Sequence, residues 1–359
     1  MKVMGLRVID ILLIFVPLSL ILTYLGAVDS TILFVISLLA LLPLASKMGE
    51  ATEELAKIYG GQIGGLLNAT FGNAAELIIA LIAISRGLEE LVKASIAGSI
   101  IGNLLFVFGL SLLFGGLKYK EQRFSTELSG MNATMLLIAF MSLMIPSMFH
   151  FVPVEHRGND EQLLSIAVSV LLILLYLLSM VFSLKTHQYL FRVKSEKNEH
   201  TEAETPKWDR NFAILVLGVA TILLALVSEV FVGQVEHVAL QFGLTQLLIG
   251  AIIVAIVGNA AEHLASIFFA LKNDLELSIN VTVGSSLQIA MFVAPLTVLA
   301  GVMMQKPMDL VFTPLEIIAV FASVLIVNEL SSDGKCNWFE GAQLLVMYLI
   351  IAVLFFFVQ

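Results

Sequence analysis

The pentapeptide Gly72-Asn73-Ala74-Ala75-Glu76 returns unchanged as Gly258-Asn259-Ala260-Ala261-Glu262. Each copy lies inside an apolar stretch long enough to cross a bilayer. A carboxylate at membrane depth is costly, so it marks a functional site by default. Within each copy the Asn precedes the Glu by three residues, which puts both side chains on one face of a helix. Two carboxylates and two amide carbonyls around one point make an all-oxygen ligand set. That chemistry suits a hard cation such as Ca²⁺. A single cysteine, Cys336, and no paired histidines argue against a zinc or copper cage. One such motif alone would also be explained by close helix packing around a buried hydrogen bond. Two copies at matched positions weigh against that, because each Glu without a partner is strongly destabilising.

Polar residues follow each motif. Ser95, Ser99 and Asn103 are spaced by four along one helical face, and Ser285, Ser286 and Gln288 follow the second copy. Ser99, Asn103, Ser285 and Gln288 either complete a cation shell with Asn73 and Asn259 or fix the Glu rotamers. The competing reading is serine bonding back to its own helix. His263 adjoins Glu262, but neighbouring helix positions diverge by about 100°. It is therefore either a proton relay or a residue paired with a nearby carbonyl. Glu50, Glu53 and Glu54 form an acidic cluster with Glu229 and Glu236 as candidate counterparts. These five are either a cation or proton pathway or a solvated helix end carrying a Glu53–Lys57 pair. His187 and His200 read as solvated residues.

The elements that must hold these residues follow from composition. Of 359 residues only 13% are charged and 59% are hydrophobic, with mean hydropathy +0.98. Soluble domains carry about twice that charge. The apolar windows have helical length, which argues against a β-barrel. Eleven spans are expected, near 6–25, 31–59, 62–86, 91–117, 129–150, 163–184, 212–235, 244–272, 276–303, 309–331 and 340–358. The second outruns the hydrocarbon core, and Pro43 should loosen or kink it. Of the 19 basic residues, only Arg86, Lys93, Arg157 and Lys306 fall on one side, with Lys47 inside a span. The remainder fall on the other. The positive-inside rule then places the N-terminus in the cytoplasm and the C-terminus opposite. The net charge of −9 and the lack of a basic stripe give no sign of nucleic-acid binding.

The polar stretch 185–211 reads as a cytoplasmic linker, partly disordered. It separates halves that match at a constant offset of 186 residues: Gly64 with Gly250, Gly98-Ser99 with Gly284-Ser285, Phe106 with Phe292, and Gly115 with Gly301. Five spans per half is odd, so the second half enters from the opposite side. The expected fold is an all-α polytopic membrane protein whose last ten helices form two inverted five-helix repeats. Residues 1–30 form a peripheral first helix, 31–184 the first repeat and 212–359 the second. No His-Glu-x-x-His, Gly-x-Ser-x-Gly or P-loop pattern supports an enzyme.

The motifs, with Gly65-Leu66-Leu67-Asn68-Ala69-Thr70-Phe71 leading into the first copy and His263 following the second, resemble those of the cation/proton exchanger family, within the Ca²⁺/cation antiporters. Ala51-Thr52-Glu53-Glu54-Leu55-Ala56, Lys272-Asn273 and Gly284-Ser285-Ser286-Leu287-Gln288-Ile289-Ala290 extend the resemblance over about residues 40–300. It implies Ca²⁺ transport against protons, with Glu76 and Glu262 binding cation and protons alternately and Asn73, Asn259 and Gln288 as lesser ligands. It implies no cofactor; Ca²⁺ is the substrate and the bilayer the host. A Na⁺/Ca²⁺ exchanger is the near alternative, and a cation channel or a structural protein the more distant ones.

Overall fold

The computed structural model describes residues 2–3, 6–26, 28–153, 157–187 and 205–358, and these are mostly helical. After a short entry turn, α1 (Phe15–Leu25) leads to α2 (Ser30–Tyr59), α3 (Gly61–Phe71), α4 (Ala74–Ser85) and α5 (Glu89–Ile101). A π-helical turn at Gly102–Val107 joins α5 to α6 (Phe108–Tyr119), followed by α7 (Thr126–Phe149) and α8 (Arg157–Val181). The second half holds α9 (Arg210–Phe242), α10 (Gln246–Gly258), α11 (Ala260–Leu271) and α12 (Leu275–Gln288). Another π turn, Ile289–Val293, joins α12 to α13 (Ala294–Met303), and α14 (Pro314–Leu330) and α15 (Trp338–Phe357) complete the fold.

Among the described residues, seven helices are long and apolar enough to cross a membrane, and the bent pair α10–α11 makes an eighth. α1 and α4 are apolar but shorter. Helix ends follow local chemistry. Asp29 and Asp209 cap α2 and α9 by accepting from the first backbone N–H groups. Thr313 with Glu316, and Asn337 with Glu340, form capping boxes on α14 and α15.

α2 runs as one helix of 30 residues with Pro43 inside it. Other expectations need correction. The span read over 62–86 is two helices, broken where Asn73 leaves helical geometry at φ −104°, ψ 30°. Its counterpart bends by 61° between α10 and α11, with Asn259 at φ −91°, ψ 9°. Broken spans survive in a bilayer only where the freed groups face protein or a cavity. The disorder expected of the linker, and His200 within it, fall outside the described residues. His187 is not simply solvated: its ring stacks on Phe182 at 4.1 Å.

The helices that follow the two motifs sit deepest. Of the most apolar windows in Glu89–Tyr119 and Leu275–Met303, 72% and 61% is buried in protein, against 28–50% in the other five long helices. α2 and α9 lie together at one side, with Phe34 stacked on Phe231 at 4.8 Å. At one end a short ribbon pairs β1 (Glu121–Arg123) with β2 (Lys335–Asn337), tying the loop after α6 to the loop before α15. Cys336 lies within it, and burial pushes its thiol above the ordinary range.

Candidate functional site

Both glutamates open a half-helix: Glu76 lies in the first turn of α4 and Glu262 in the first turn of α11. The breaks at Asn73 and Asn259 create these helix N-termini, whose positive dipole ends favour a carboxylate. Glu76 is 7% exposed, and neither of its carboxylate oxygens has a hydrogen-bond partner among the described residues; the same holds for Oε2 of Glu262. Buried acceptors are normally satisfied, so orphaned carboxylate oxygens from both halves call for a cation or protons. The Glu76 carboxylate rests on Gly258 of the opposite half, where an added β-carbon would lie 2.9 Å from both Cγ and Oε1.

A connected set of amides and hydroxyls joins the two breaks. Asn73 donates to Oε1 of Gln288, while Ser285 donates to Oδ1 of Asn73 at 2.8 Å. Asn259 donates to Ser99 at 3.0 Å. Asn103 bridges the two groups, donating to Ser285 at 3.1 Å and to Oδ1 of Asn259 at 3.3 Å. Asn73, Asn259, Ser99, Ser285, Asn103 and Gln288 thus fall into one network contributed by both halves. Among the described residues no three or more His, Cys, Asp or Glu side chains are placed to hold a metal ion together. A cation here would take two carboxylates and fill its shell from neutral oxygens, as Ca²⁺ does.

The walls beside this network are unequal. Along α5 and α10 the backbones touch: a β-carbon at Gly98 would collide with the backbone of Ala251, and one at Gly250 would lie 2.6 Å from the Leu91 carbonyl and 2.7 Å from Cβ of Ala94. The residues at matching positions behave differently. Gly64 packs on the backbone of Ala56, Gly65 meets Leu184, and Gly284 has open space.

The family model described as sodium/calcium exchanger protein matches residues 29–185 and again 212–357. The chain belongs to the sodium/calcium exchanger protein family. A Ca²⁺/H⁺ antiporter of Aphanothece halophytica is 46% identical over 96% of this chain and 95% of its own length. The Ca²⁺/H⁺ antiporter ChaA of Bacillus subtilis is 46% identical over 91% and 92%. Among solved structures, native YfkE superposes with a TM-score of 0.84 at 42% identity, covering 97% of this chain and 99% of that one. An H⁺/Ca²⁺ exchanger, CAX, shares the fold at a TM-score of 0.71 and 15% identity, covering 97% and 91%.

Other candidates of this family member lie outside the network. Ser286 bonds back to Thr282 in its own helix, and no hydrogen bond brings Ser95 in among the described residues. His263 is buried edge-on to Phe106, with ring centroids 6.3 Å apart. Glu50 pairs with Lys47, which also meets Asp10, and Glu53 makes the expected pair with Lys57 at 2.8 Å. Glu54 is buried and accepts from the backbone N–H groups of Lys207 and Trp208. Glu229 pairs with Arg86, which ends α4, and Glu236 is exposed. A separate cavity of about 490 Å³ is lined by Glu90, Lys93, His150 and Glu316. Glu90 lies about 180° round α5 from Ser99, so the cavity is on the other face of that helix. There Lys93 pairs with Asp309 at 2.8 Å, and Nδ1 of His150 lies 3.0 Å from Oε1 of Glu161. The role of Gly258 as the seat of Glu76 escaped sequence reasoning, although the glycine stands in the duplicated motif and marks a close approach.

Proposed function

We propose that this protein is a secondary transporter that exchanges Ca²⁺, or a related divalent cation, for H⁺ at the Glu76–Glu262 pair. The observation that carries the reading is a carboxylate from each half with buried oxygens, both of Glu76 and Oε2 of Glu262, that no group among the described residues satisfies. Neither charge is solvated and each opposes the other, so the empty pair holds protons. Ca²⁺ entering as a dication releases two protons and leaves two carboxylates on the metal. Either loaded state is close to neutral within the pair and able to cross; the bare dianion is not. The Na⁺-coupled alternative is disfavoured, since relatives named Ca²⁺/H⁺ antiporter match at 46% identity over more than nine-tenths of both chains.

The architecture that fits this chemistry is eleven transmembrane helices, the last ten as two inverted five-helix repeats about a midplane site. Two separate matches to one family model, flanking the 185–211 connection, support the division at 31–184 and 212–359. With the N-terminus cytoplasmic, the tight α5–α10 contact lies toward the outside and the looser α3–α12 side toward the cytoplasm. Asn73, Asn259 and Gln288 act as neutral ligands, with Ser99, Ser285 and Asn103 holding their orientation.

The test is Ca²⁺ flux into sodium-free proteoliposomes under an imposed pH gradient, with a panel of divalent metals as competitors. Uptake that follows the gradient and collapses when a protonophore dissipates it is expected. Uptake that needs sodium, or that runs equally without any gradient of either ion, overturns the reading.

A further inference from the structure

The 185–211 connection is rooted at both ends on the corner between α2 and α3. At its start, the π-helical turn Phe182–Thr186 places Leu184 against α3, where a β-carbon on Gly65 would meet Cδ2 of Leu184. That turn is closed by His187 N–H donating to the Phe182 carbonyl at 2.8 Å and by the stacked rings of the same two residues. At its far end, the N–H groups of Lys207 and Trp208 bond to Glu54, which is 4% exposed in the last turns of α2. Neither contact belongs to the cation site.

The repeat offset says what α3 would do without them. Gly98 and Gly250 pack on Ala251 and on Leu91 and Ala94 in the tight wall. Moved by 186 residues, those pairs become Gly284 on Gly65, and Gly64 on Leu277 and Asn280. Here the same glycines are engaged elsewhere: Leu184 occupies Gly65, and Ala56 occupies Gly64, while Gly284 has nothing beside it. Small residues permit such close helix contacts, and one position on Gly65 cannot hold two partners at once.

We infer that the roots of the 185–211 connection hold the gate helix α3 open, with Leu184 as the wedge that must leave Gly65 before Gly65 can close on Gly284. This rests on the inverted-repeat reading above. The two roots are then regulatory elements of access: whatever pulls Leu184 or Lys207–Trp208 away from the corner favours closure of the cytoplasmic mouth.

A single cysteine at Asn280→Cys in a Cys336→Ser background reports the gate, since closure would cover that position with Gly64. Vesicles with the cytoplasmic face outward are treated with a membrane-impermeant maleimide. Adding Leu184→Ala should slow labelling by roughly five-fold or more, the lower end of typical coupling between two states. Leu184→Met, which keeps the volume, should leave the rate as it was. If Leu184→Ala does not reach the membrane, Glu54→Gln, which weakens the other root, should slow labelling in the same direction. Labelling indifferent to loss of either root, or slowed equally by Met and Ala, overturns the wedge. Ca²⁺ uptake driven by a pH gradient in the Cys336→Ser parent is measured alongside. Intact uptake with indifferent labelling sinks the wedge alone; absent uptake with slowed labelling sinks the exchange reading and keeps the wedge.

Discussion

The carboxylate of Glu76 packs directly on Gly258, a residue of the opposite half that precedes Glu262 by four positions. The motif glycine therefore does more than let helices approach. It is the floor on which the other half's charged group rests, so the position of one glutamate is set by the backbone beside its partner.

Gly258→Ala should consequently weaken Ca²⁺ binding without abolishing the fold. The new methyl would lie 2.9 Å from Oε1 of Glu76 and push the carboxylate off its seat. Overpacking of this kind costs about 1–3 kcal/mol, and about 1.4 kcal/mol corresponds to a ten-fold loss of affinity. Titration of the detergent-solubilised protein with Ca²⁺ checks this. Wild-type affinity would mean that the carboxylate binds cation from some other position.

Glu76→Gln and Glu262→Gln should each abolish uptake driven by a pH gradient in proteoliposomes. Glutamine keeps the size but can neither release a proton nor supply the negative charge. Because the pair acts as a unit, the double variant should be no worse than either single one. Wild-type-like uptake by either single variant would sink the shared site.

Much of this site was legible because duplication left a fixed spacing: 186 residues link Asn73 to Asn259, Glu76 to Glu262 and Ser99 to Ser285. Asn103 and Gln288 break that register, since their exact counterparts are Ile289 and Gly102. Gln288 is the last residue before one π turn and Asn103 the second residue of the other, and an extra residue per turn there changes the rotation between side chains before and after the turn. Periodicity at 3.6 residues does not foresee such a rotation. The breaks at Asn73 and Asn259 were hidden for a similar reason. Hydropathy counts residues in a window, and the apolar runs 62–86 and 244–272 are continuous in composition while their backbones are not. Partners such as Glu54 with Lys207 and Trp208 join residues over 150 positions apart, which no local pattern encodes.

Apparent Ca²⁺ affinity should fall as pH falls. The sign follows from competition: at low pH the pair holds protons, which must leave before the metal enters, and at high pH none remain to displace. The two carboxylates face one site, so the steps of the curve belong to the pair and not to either residue. Ca²⁺ binding measured from pH 5 to 9 should steepen toward at most about two protons released per cation. A flat profile with sodium as the effective competitor would instead favour sodium coupling.

Gly98→Ala and Gly284→Ala occupy matched positions in the two halves, yet they should behave differently. At Gly98 a β-carbon meets the backbone of Ala251, which cannot give way as the end of a flexible side chain can. At Gly284 it meets open space. In this conformation Gly98→Ala should lower the thermal midpoint of the solubilised protein, at a cost of about 1–3 kcal/mol, while Gly284→Ala leaves it nearly unchanged. Transport adds a second contrast. If the α3–α12 side closes during turnover as the α5–α10 side is closed here, Gly284→Ala should slow pH-driven Ca²⁺ uptake although it costs no stability. A thermally silent variant with impaired turnover is the signature of a contact made only in the other state. Normal turnover by Gly284→Ala would mean that the two walls do not exchange roles, and alternating access by inverted halves would have to be abandoned.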